Sequence, residues 1–182
     1  GLGDVYKRQE VNMAKNDAVS VLHAALDYRR CIDVPGYDKI DIDPAARFIG
    51  TMNYGYAGTK ELNEALVSRF LVIDMPAQDE ETLAFIFQSR FPKLKNSAMK
   101  QWIGLFMDLQ LKAQNGEITT KALDLRGMLG ALKTIRQGLS PALAVKMGVV
   151  NKCFDIFEKE IVQDVVMTRI PDTWTPRDVF ED

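Results

Sequence analysis

The hydrophobic pattern of the N-terminal part of the chain predicts strands mixed with helices. Apolar side chains recur at the spacing of a helix over residues 16–30. Residues 31–42 alternate apolar and polar positions around a Pro-Gly pair, which predicts a β-hairpin. Residues 47–52 and 70–75 are short apolar runs typical of buried strands, and residues 60–68 between them predict a short helix. Strand, loop, helix and strand in this order indicate an α/β fold with a parallel sheet.

Beyond Pro76 the pattern predicts helices only. Most of the predicted helices repeat apolar side chains along one face, and they begin or end at capping, proline or glycine residues. They cover residues 79–88, 98–113, 123–136 and a stretch that opens at Ser140-Pro141 and continues to about residue 169. Residues 171–182 are predicted to be a polar tail. We therefore expect an α/β part over residues 10–76 and an all-helical part with the tail over residues 77–182.

The first nine residues have a different character. The run from Asp4 to Gln9 resembles the translation of a common sequencing adapter, so residues 1–9 are interpreted as an artefact. The alternative is a genuine polar N-terminus. On the first interpretation the native sequence starts near Glu10, inside a domain.

Composition narrows the class of protein. Hydrophobic residues make up 47% of the 182 residues, which is enough to bury a core. The formal net charge of -2 gives no basic excess, so a nucleic-acid partner is not indicated, although local patches could still bind DNA. Cys31 and Cys153 lie far apart without metal-ligand spacing, which favours a reduced, cytoplasmic protein. No apolar run approaches the roughly 20 residues that a membrane span requires.

Three short stretches carry a family resemblance. Residues 10–15, Glu-Val-Asn-Met-Ala-Lys, look like the end of a Walker B strand. Residues 51–53 look like the end of a sensor 1 strand, and residues 61–70 look like an arginine-finger segment. In this order, followed by a helical domain, they resemble the MoxR and dynein-related branch of AAA+ ATPases, continuously to about residue 75 and more loosely to about residue 136. The resemblance implies the C-terminal part of a P-loop NTPase parallel sheet with a β-hairpin insert, followed by an all-α lid.

The resemblance implies catalytic roles for two residues of the first part. Glu10 would orient or deprotonate the attacking water, and its alternative is an acid in contact with solvent. Family members carry an aspartate just before this glutamate that helps to hold Mg²⁺, but Gln9 stands there in this chain. Asn53 would be sensor 1, a polar side chain at a strand tip near the γ-phosphate. Its alternative is a loop asparagine with left-handed backbone geometry.

Two arginines are the remaining site candidates. Arg69 would be the arginine finger that enters a neighbouring subunit's site, because guanidinium offers permanent charge and planar donors. Its alternative is an interaction with the dipole of its own helix. Arg126 would be sensor 2, contacting nucleotide from the lid, although Leu-Asp-Leu-Arg is a loose match to the family pattern. Its alternative is a surface arginine paired with Asp124 or Glu117.

The hairpin is the last feature that the resemblance explains. Hairpins inserted before sensor 1 often face the pore of the ring, so Tyr37 at the tip could grip a client. An ordinary turn tyrosine is an equal alternative. For Tyr54 and Tyr56 in the following loop, packing is the preferred interpretation.

The function implied by the resemblance is ATP-driven remodelling. The intact protein would use ATP and Mg²⁺, assemble into a homo-oligomer, typically a hexameric ring, and act on a protein client with help from a partner that carries a von Willebrand factor A domain. The 182 residues contain no Gly-x-x-x-x-Gly-Lys-Ser/Thr motif, so this piece alone is expected to be inactive. Two alternatives stay open: a GTP-driven motor of a restriction system and a non-catalytic helical interaction module.

Overall fold

The computed structural model describes residues 5–8, 16–52 and 64–181. The chain divides into two compact units, residues 1–75 and residues 76–182.

The described residues of the first unit form short strands and two helices. Strand β1 (Val5–Arg8) pairs in parallel with β4 (Arg47–Gly50), so that Val5 lies opposite Arg47 and Arg8 opposite Gly50. The other elements are helix α1 (Asn16–Leu26), strands β2 (Cys31–Ile32) and β3 (Ile40–Asp41), and helix α2 (Glu64–Val67). The predicted helix at residues 16–30 is thus confirmed in a shorter form. The start of the predicted helix at residues 60–68 lies outside the described residues.

The predicted β-hairpin is confirmed. Strands β2 and β3 pair antiparallel, with Cys31 opposite Asp41. The backbone N–H of Tyr37 donates to the carbonyl of Val34 over 3.1 Å, which closes a turn around Pro35 and Gly36. Gly36 has a φ of +86°, the left-handed geometry that the third position of a type II turn requires.

The prediction of a second buried strand at residues 70–75 is wrong for the described chain. The segment after Phe70 forms no strand, and its large apolar side chains face solvent: Leu71 is 97% exposed, Ile73 80% and Met75 85%. Strand β4 is likewise less buried than its apolar run predicts, since Ile49 is 50% exposed. An apolar run shows that a segment suits a covered sheet. A strand forms only where a second strand supplies backbone partners, and the described residues place none beside residues 71–75.

The second unit is helical, as its pattern predicts. Asp79 caps the first helix by accepting a hydrogen bond from the Thr82 backbone N–H over 2.8 Å. Asp124 and Asp155 cap two later helices in the same way. The helices are α3 (Glu80–Arg90), α4 (Asn96–Gln114), α5 (Leu125–Arg136), α6 (Pro141–Gly148), α7 (Ile156–Arg169) and α8 (Pro176–Val179), with short 3-10 turns at Thr120–Ala122 and Val150–Lys152.

Helix α4 lies at the centre of this unit's core. The predicted apolar face is confirmed, because its four members are at most 3% exposed: Trp102, Leu105, Phe106 and Leu109. Helices α3 and α7 pack against α4. Among the described residues, no helix is both long and apolar enough to cross a membrane.

Residues 171–182, which the sequence predicts to be a polar tail, pack against the core of this unit. Val179 is fully buried and Phe180 is 8% exposed. The Phe180 ring lies 6.0 Å from the Phe91 ring, measured between centroids. Backbone hydrogen bonds from Lys95 N–H to the Val179 carbonyl and from Glu181 N–H to the Lys93 carbonyl, both 2.9 Å, attach the tail to the turn before α4. Three apolar side chains among many polar ones, Trp174, Val179 and Phe180, give too weak a periodicity to predict this docking.

Helices α5 and α6 touch through two glycines. A Cβ atom built on Gly127 would lie 2.0 Å from the Gly148 carbonyl oxygen, and one built on Gly148 would lie 2.6 Å from the Gly127 carbonyl oxygen. The contact is between backbones, so no side-chain rotation can relieve such a clash. These two positions therefore fix the first turn of α5 against the end of α6.

We expect Gly127→Ala to destabilise the helical unit by about 1–3 kcal/mol, the usual range for overpacking. The matched control is Gly130→Ala in the same helix, because a Cβ atom there meets nothing within 4 Å. That substitution should stabilise the unit by roughly 0.5–1 kcal/mol, since alanine is the better helix former. Urea unfolding of both variants measures the difference. Equal stabilities would show that the backbone contact does not exist.

Candidate functional site

The structure describes two of the four predicted site residues. Glu10 and Asn53 lie outside the described residues, so their roles remain predictions. Arg69 belongs to the first unit and Arg126 to the second.

Arg69 follows the last turn of α2. Its backbone N–H donates to the Leu66 carbonyl over 3.1 Å, which continues the turn beyond the helix. Leu66 is fully buried and anchors the helix, while the Arg69 side chain is exposed. The guanidinium Nη1 donates to the Ala65 carbonyl of the same helix. The same carbonyl also accepts from Ser68 Oγ over 3.0 Å. The Arg69 contact matches the helix-end alternative, because it places a positive charge near the C-terminal end of α2, where the helix dipole favours a cation.

The surroundings of Arg69 are acidic as well as exposed. Asp27 forms an ion pair with Arg29, with 2.6 Å between Nη2 and Oδ2. The hydrogen bonds from Arg29 hold the pKa of the Asp27 carboxyl below its usual value, and the positive charge of Arg69 adds a smaller effect in the same direction. Arg69 is held weakly. Its hydrogen-bond acceptor is the exposed Ala65 carbonyl, and the nearby Asp27 carboxylate is already neutralised by Arg29. The side chain can therefore leave this position when a stronger anion is offered.

Arg126 lies in the first turn of α5, two residues after the capping Asp124. The Asp124 carboxylate accepts a hydrogen bond from the Gly127 backbone N–H over 2.9 Å, and its other oxygen accepts from Lys152 Nζ. Burial opposes ionisation of this carboxyl and is the largest single influence on it. The Lys152 ammonium, with the backbone N–H groups of Gly127 and Arg126, outweighs that influence, so the pKa of Asp124 is lowered.

The pairing alternatives predicted for Arg126 are both wrong. Asp124 is paired with Lys152, and Glu117 is paired with Lys112 at 2.6 Å. Within residues 16–52 and 64–181, the exposed Arg126 side chain has no hydrogen bond or ion pair. A free cation at a helix N-terminus is electrostatically unfavourable, because the helix dipole places positive charge there. Folding of this unit therefore gives no reason for an arginine at this position.

Lys152 is the residue that the sequence analysis did not find. It lies 28 positions after Asp124, in the 3-10 turn Val150–Lys152 that follows α6. No local spacing connects the two residues. They meet because Gly127 and Gly148 bring α5 and α6 into contact. The sequence offered no signal for this pair beyond the two glycines.

The tip of the hairpin is accessible. Tyr37 is 79% exposed and Ile40 is 59% exposed. Exposure suits both alternatives for Tyr37, the client contact and the ordinary turn residue. Tyr54 and Tyr56 lie outside the described residues.

A shallow cleft of about 390 Å³ in the helical unit contains none of the predicted site residues. Arg169 in this cleft donates to Asp108 through Nε at 2.7 Å and Nη2 at 3.1 Å. A Cβ atom on Gly104 would lie 2.8 Å from the Arg169 guanidinium carbon, so the missing side chain makes room for the pair. The bidentate geometry ties the end of α7 to α4, which is a structural role.

The described residues contain no group of three or more His, Cys, Asp or Glu side chains that could hold a metal ion. Of the predicted site residues, the described part contains Arg69, which is weakly held, and Arg126, which has no described partner.

The comparison with protein families identifies the class. Residues 3–70 match the AAA domain of the dynein-related subfamily. The matched span includes Glu10, Asn53 and Arg69. The chain therefore carries part of an AAA domain of the dynein-related subfamily, which belongs to the AAA+ ATPases, a class of P-loop nucleotide-binding proteins.

The relatives are longer than this chain. It is 32% identical to the uncharacterized protein YojN of Bacillus subtilis (strain 168) over 161 residues, which cover 87% of the chain and 52% of YojN. It is 30% identical to an uncharacterized protein of Staphylococcus aureus (strain NCTC 8325 / PS 47) and 27% identical to one of Staphylococcus haemolyticus (strain JCSC1435). Both of these alignments cover 90% of the chain and 62% of the relative. The chain thus spans between half and two thirds of the length of these proteins.

Proposed function

We propose that this chain is the sensing and trans-acting part of an ATP-hydrolysing, MoxR-like AAA+ motor that remodels a protein client. Glu10 orients the attacking water, Asn53 contacts the γ-phosphate, Arg69 acts on the nucleotide of a neighbouring subunit, and Arg126 contacts nucleotide from the lid. The match of residues 3–70 to a dynein-related AAA domain carries this proposal, because three of these four residues lie inside it.

The exposure and the hydrogen bonding of Arg69 and Arg126 support this proposal. Arg126 is exposed without a described partner, where the helix dipole disfavours a cation. A nucleotide phosphate would supply the missing counter-charge, and a helix N-terminus is a favourable place for one. Arg69 is exposed, and the hydrogen bond described for its side chain goes to the Ala65 carbonyl of its own helix, so it can reach outwards to a second subunit.

The exposed apolar segment after α2 supports a larger sheet. Four large apolar side chains between residues 71 and 75 are at least 59% exposed: Leu71, Val72, Ile73 and Met75. Solvent exposure of such a run is unfavourable, and an unpaired backbone edge attracts another strand. We propose that these residues form a strand of a parallel sheet in the intact protein, next to a strand that precedes the phosphate-binding loop.

The phosphates of ATP are suitable anionic partners for Arg69 and Arg126. When bound, Mg²⁺ would neutralise further phosphate charge and orient the phosphates. Glu10, Asn53 and Arg126 are the residues of this chain that would face the nucleotide. The described residues offer no carboxylate cluster for the metal, and Gln9 stands where the family has its metal-binding aspartate. Metal binding is therefore assigned to no residue of this chain.

We further propose assembly into a homo-oligomer, in the family's usual form a hexameric ring, because a finger that acts in trans requires a neighbour. The client is a protein, and a partner with a von Willebrand factor A domain would assist. A GTP-driven motor is the nearest alternative, and a nucleotide-preference assay on the intact protein distinguishes it. A non-catalytic helical module is the other alternative. It requires the absence of a Gly-x-x-x-x-Gly-Lys-Ser/Thr motif from the intact gene.

We expect the purified 182-residue chain to hydrolyse no ATP above the background of a Glu10→Gln control. The reason is that its sequence has no phosphate-binding loop to hold the β- and γ-phosphates. Phosphate release at saturating Mg-ATP measures this directly. Turnover that disappears on Glu10→Gln substitution would overturn the expectation, since it would place a complete site within these residues.

A further inference from the structure

We propose that Lys152 is a positioning residue that keeps Arg126 free for nucleotide by occupying the Asp124 carboxylate. The functional meaning of this inference rests on the sensing role proposed above for Arg126. The local pairing itself does not, because it is a property of the helical unit alone.

Each oxygen of the Asp124 carboxylate accepts a hydrogen bond from a different partner. One oxygen of Asp124 accepts from the Gly127 backbone N–H over 2.9 Å and so caps α5. The other oxygen accepts from Lys152 Nζ. Both oxygens therefore have a donor from residues other than the Arg126 side chain, and the negative charge is balanced by the ammonium.

Gly127 makes this arrangement sterically feasible. A Cβ atom there would lie 2.9 Å from Asp124 Oδ2 and 2.9 Å from Lys152 Nζ. Any side chain at position 127 would push the two charged groups apart. The glycine that lets α5 approach α6 thus also leaves the space in which the ion pair forms.

The same chain contains an aspartate–arginine pair of the kind that we expect Lys152 to prevent at Asp124. Asp27 and Arg29 have the same two-residue spacing as Asp124 and Arg126. Arg29 donates to Asp27 through Nε at 3.1 Å and Nη2 at 2.6 Å. Asp27 has no lysine partner among the described residues. Asp27 and Arg29 lie in the turn after α1, whereas Asp124 caps α5 and Arg126 lies in its first turn. The turn pair shows that an arginine can bind an aspartate two positions earlier, and of these two aspartates Asp124 is the one whose charge is balanced by a lysine.

Removing Lys152 would leave Asp124 without its counter-charge. The side chain of Asp124 is 24% exposed, so its ionised carboxylate needs a charged partner more than an exposed one does. Arg126 is the adjacent side chain with free donors. We expect it to turn back onto Asp124 and to become unavailable to a ligand.

The test is NMR of the 182-residue chain with ¹⁵N-labelled arginine. In the native chain, the Arg126 Nε–Hε group should show the weak heteronuclear NOE of a mobile side chain. In Lys152→Met, that NOE should rise and the Nε resonance should shift. Lys152→Arg should keep the native signal, and Lys152→Met combined with Asp124→Asn should restore mobility. A merely structural role for Lys152 would not produce rescue by the second substitution.

Lys146→Met is the matched control, since Lys146 is an exposed lysine in α6 with no described ion pair. It should leave the Arg126 signal unchanged. The proposal is overturned if Arg126 is already ordered by Asp124 in the native chain, a measurement that needs no variant and survives any folding defect of Lys152→Met. It is also overturned if Arg126 stays mobile in a folded Lys152→Met chain. No nucleotide enters the readout, so failure of the proposed ATPase role would be detected separately, by binding and turnover assays.

Discussion

Substitution of Arg69 by alanine should reduce ATP turnover of the intact protein by about a thousandfold or more, the range known for arginine fingers. The guanidinium is expected to stabilise charge on the phosphoryl group only in the transition state, so nucleotide binding should change little. Turnover and nucleotide affinity are measured side by side. Arg69→Lys should also be impaired, because an ammonium lacks the planar pair of donors.

The matched control for Arg69 is Arg47, another exposed arginine of the first unit whose guanidinium donates to backbone carbonyls, those of Pro44 and Ala46. Arg47→Ala should retain most of the turnover. If Arg69→Ala lowers stability but not turnover per folded molecule, the contact with the Ala65 carbonyl is its whole role. The helix-end alternative would then be correct.

Phe87→Ala should destabilise the helical unit by about 3–5 kcal/mol, the usual cost of removing a fully buried aromatic ring. Phe87 lies on α3 with no exposed surface and packs in the cluster around α4. Its loss leaves a cavity that neighbouring helices cannot close without moving. Urea unfolding followed by the fluorescence of the buried Trp102 reports on the same cluster.

The control for Phe87 lies two residues away. Phe85 is on the same helix but is 71% exposed, so Phe85→Ala should change the stability by no more than about 0.5 kcal/mol. Equal effects of the two substitutions would contradict the orientation of α3. A large loss only for Phe85 would mean that the opposite face of α3 packs against the core.

Local chemistry explains which parts of the fold the sequence predicts. Helices of the second unit follow from capping residues such as Asp79 and from the face of α4 that includes Trp102, because both signals are contained within one helix. The hairpin follows from Pro35 and Gly36, whose backbone preferences specify the turn. These features depend on neighbours along the chain, which a sequence displays directly.

Features that depend on distant partners were predicted wrongly or not at all. The run from Leu71 to Met75 has the composition of a buried strand, but whether it forms one depends on a partner outside the described residues. Phe180 looks like part of a polar tail, although its ring packs near Phe91. The pairing of Lys152 with Asp124 requires the contact of α5 with α6, which no local pattern contains.

The candidate site shows the same difference between features set by neighbouring residues and features that depend on distant partners. Arg126 could be selected from its motif, but the expectation that Asp124 or Glu117 would pair with it was wrong, because each already has a lysine partner. Its freedom is visible only once the helices are assembled. For Glu10 and Asn53 the sequence remains the sole basis of the assignment.

A complementation assay tests the central claim most directly. Intact protein carrying Glu10→Gln and intact protein carrying Arg69→Ala should each be inactive, the first in its own site and the second in its neighbour's. When the two are mixed and assembled together, some interfaces combine a native Glu10 with a native Arg69 from the adjacent subunit. We predict that ATP turnover returns in the mixture and not in either protein alone. A co-assembled mixture that stays inactive would contradict a site shared between subunits.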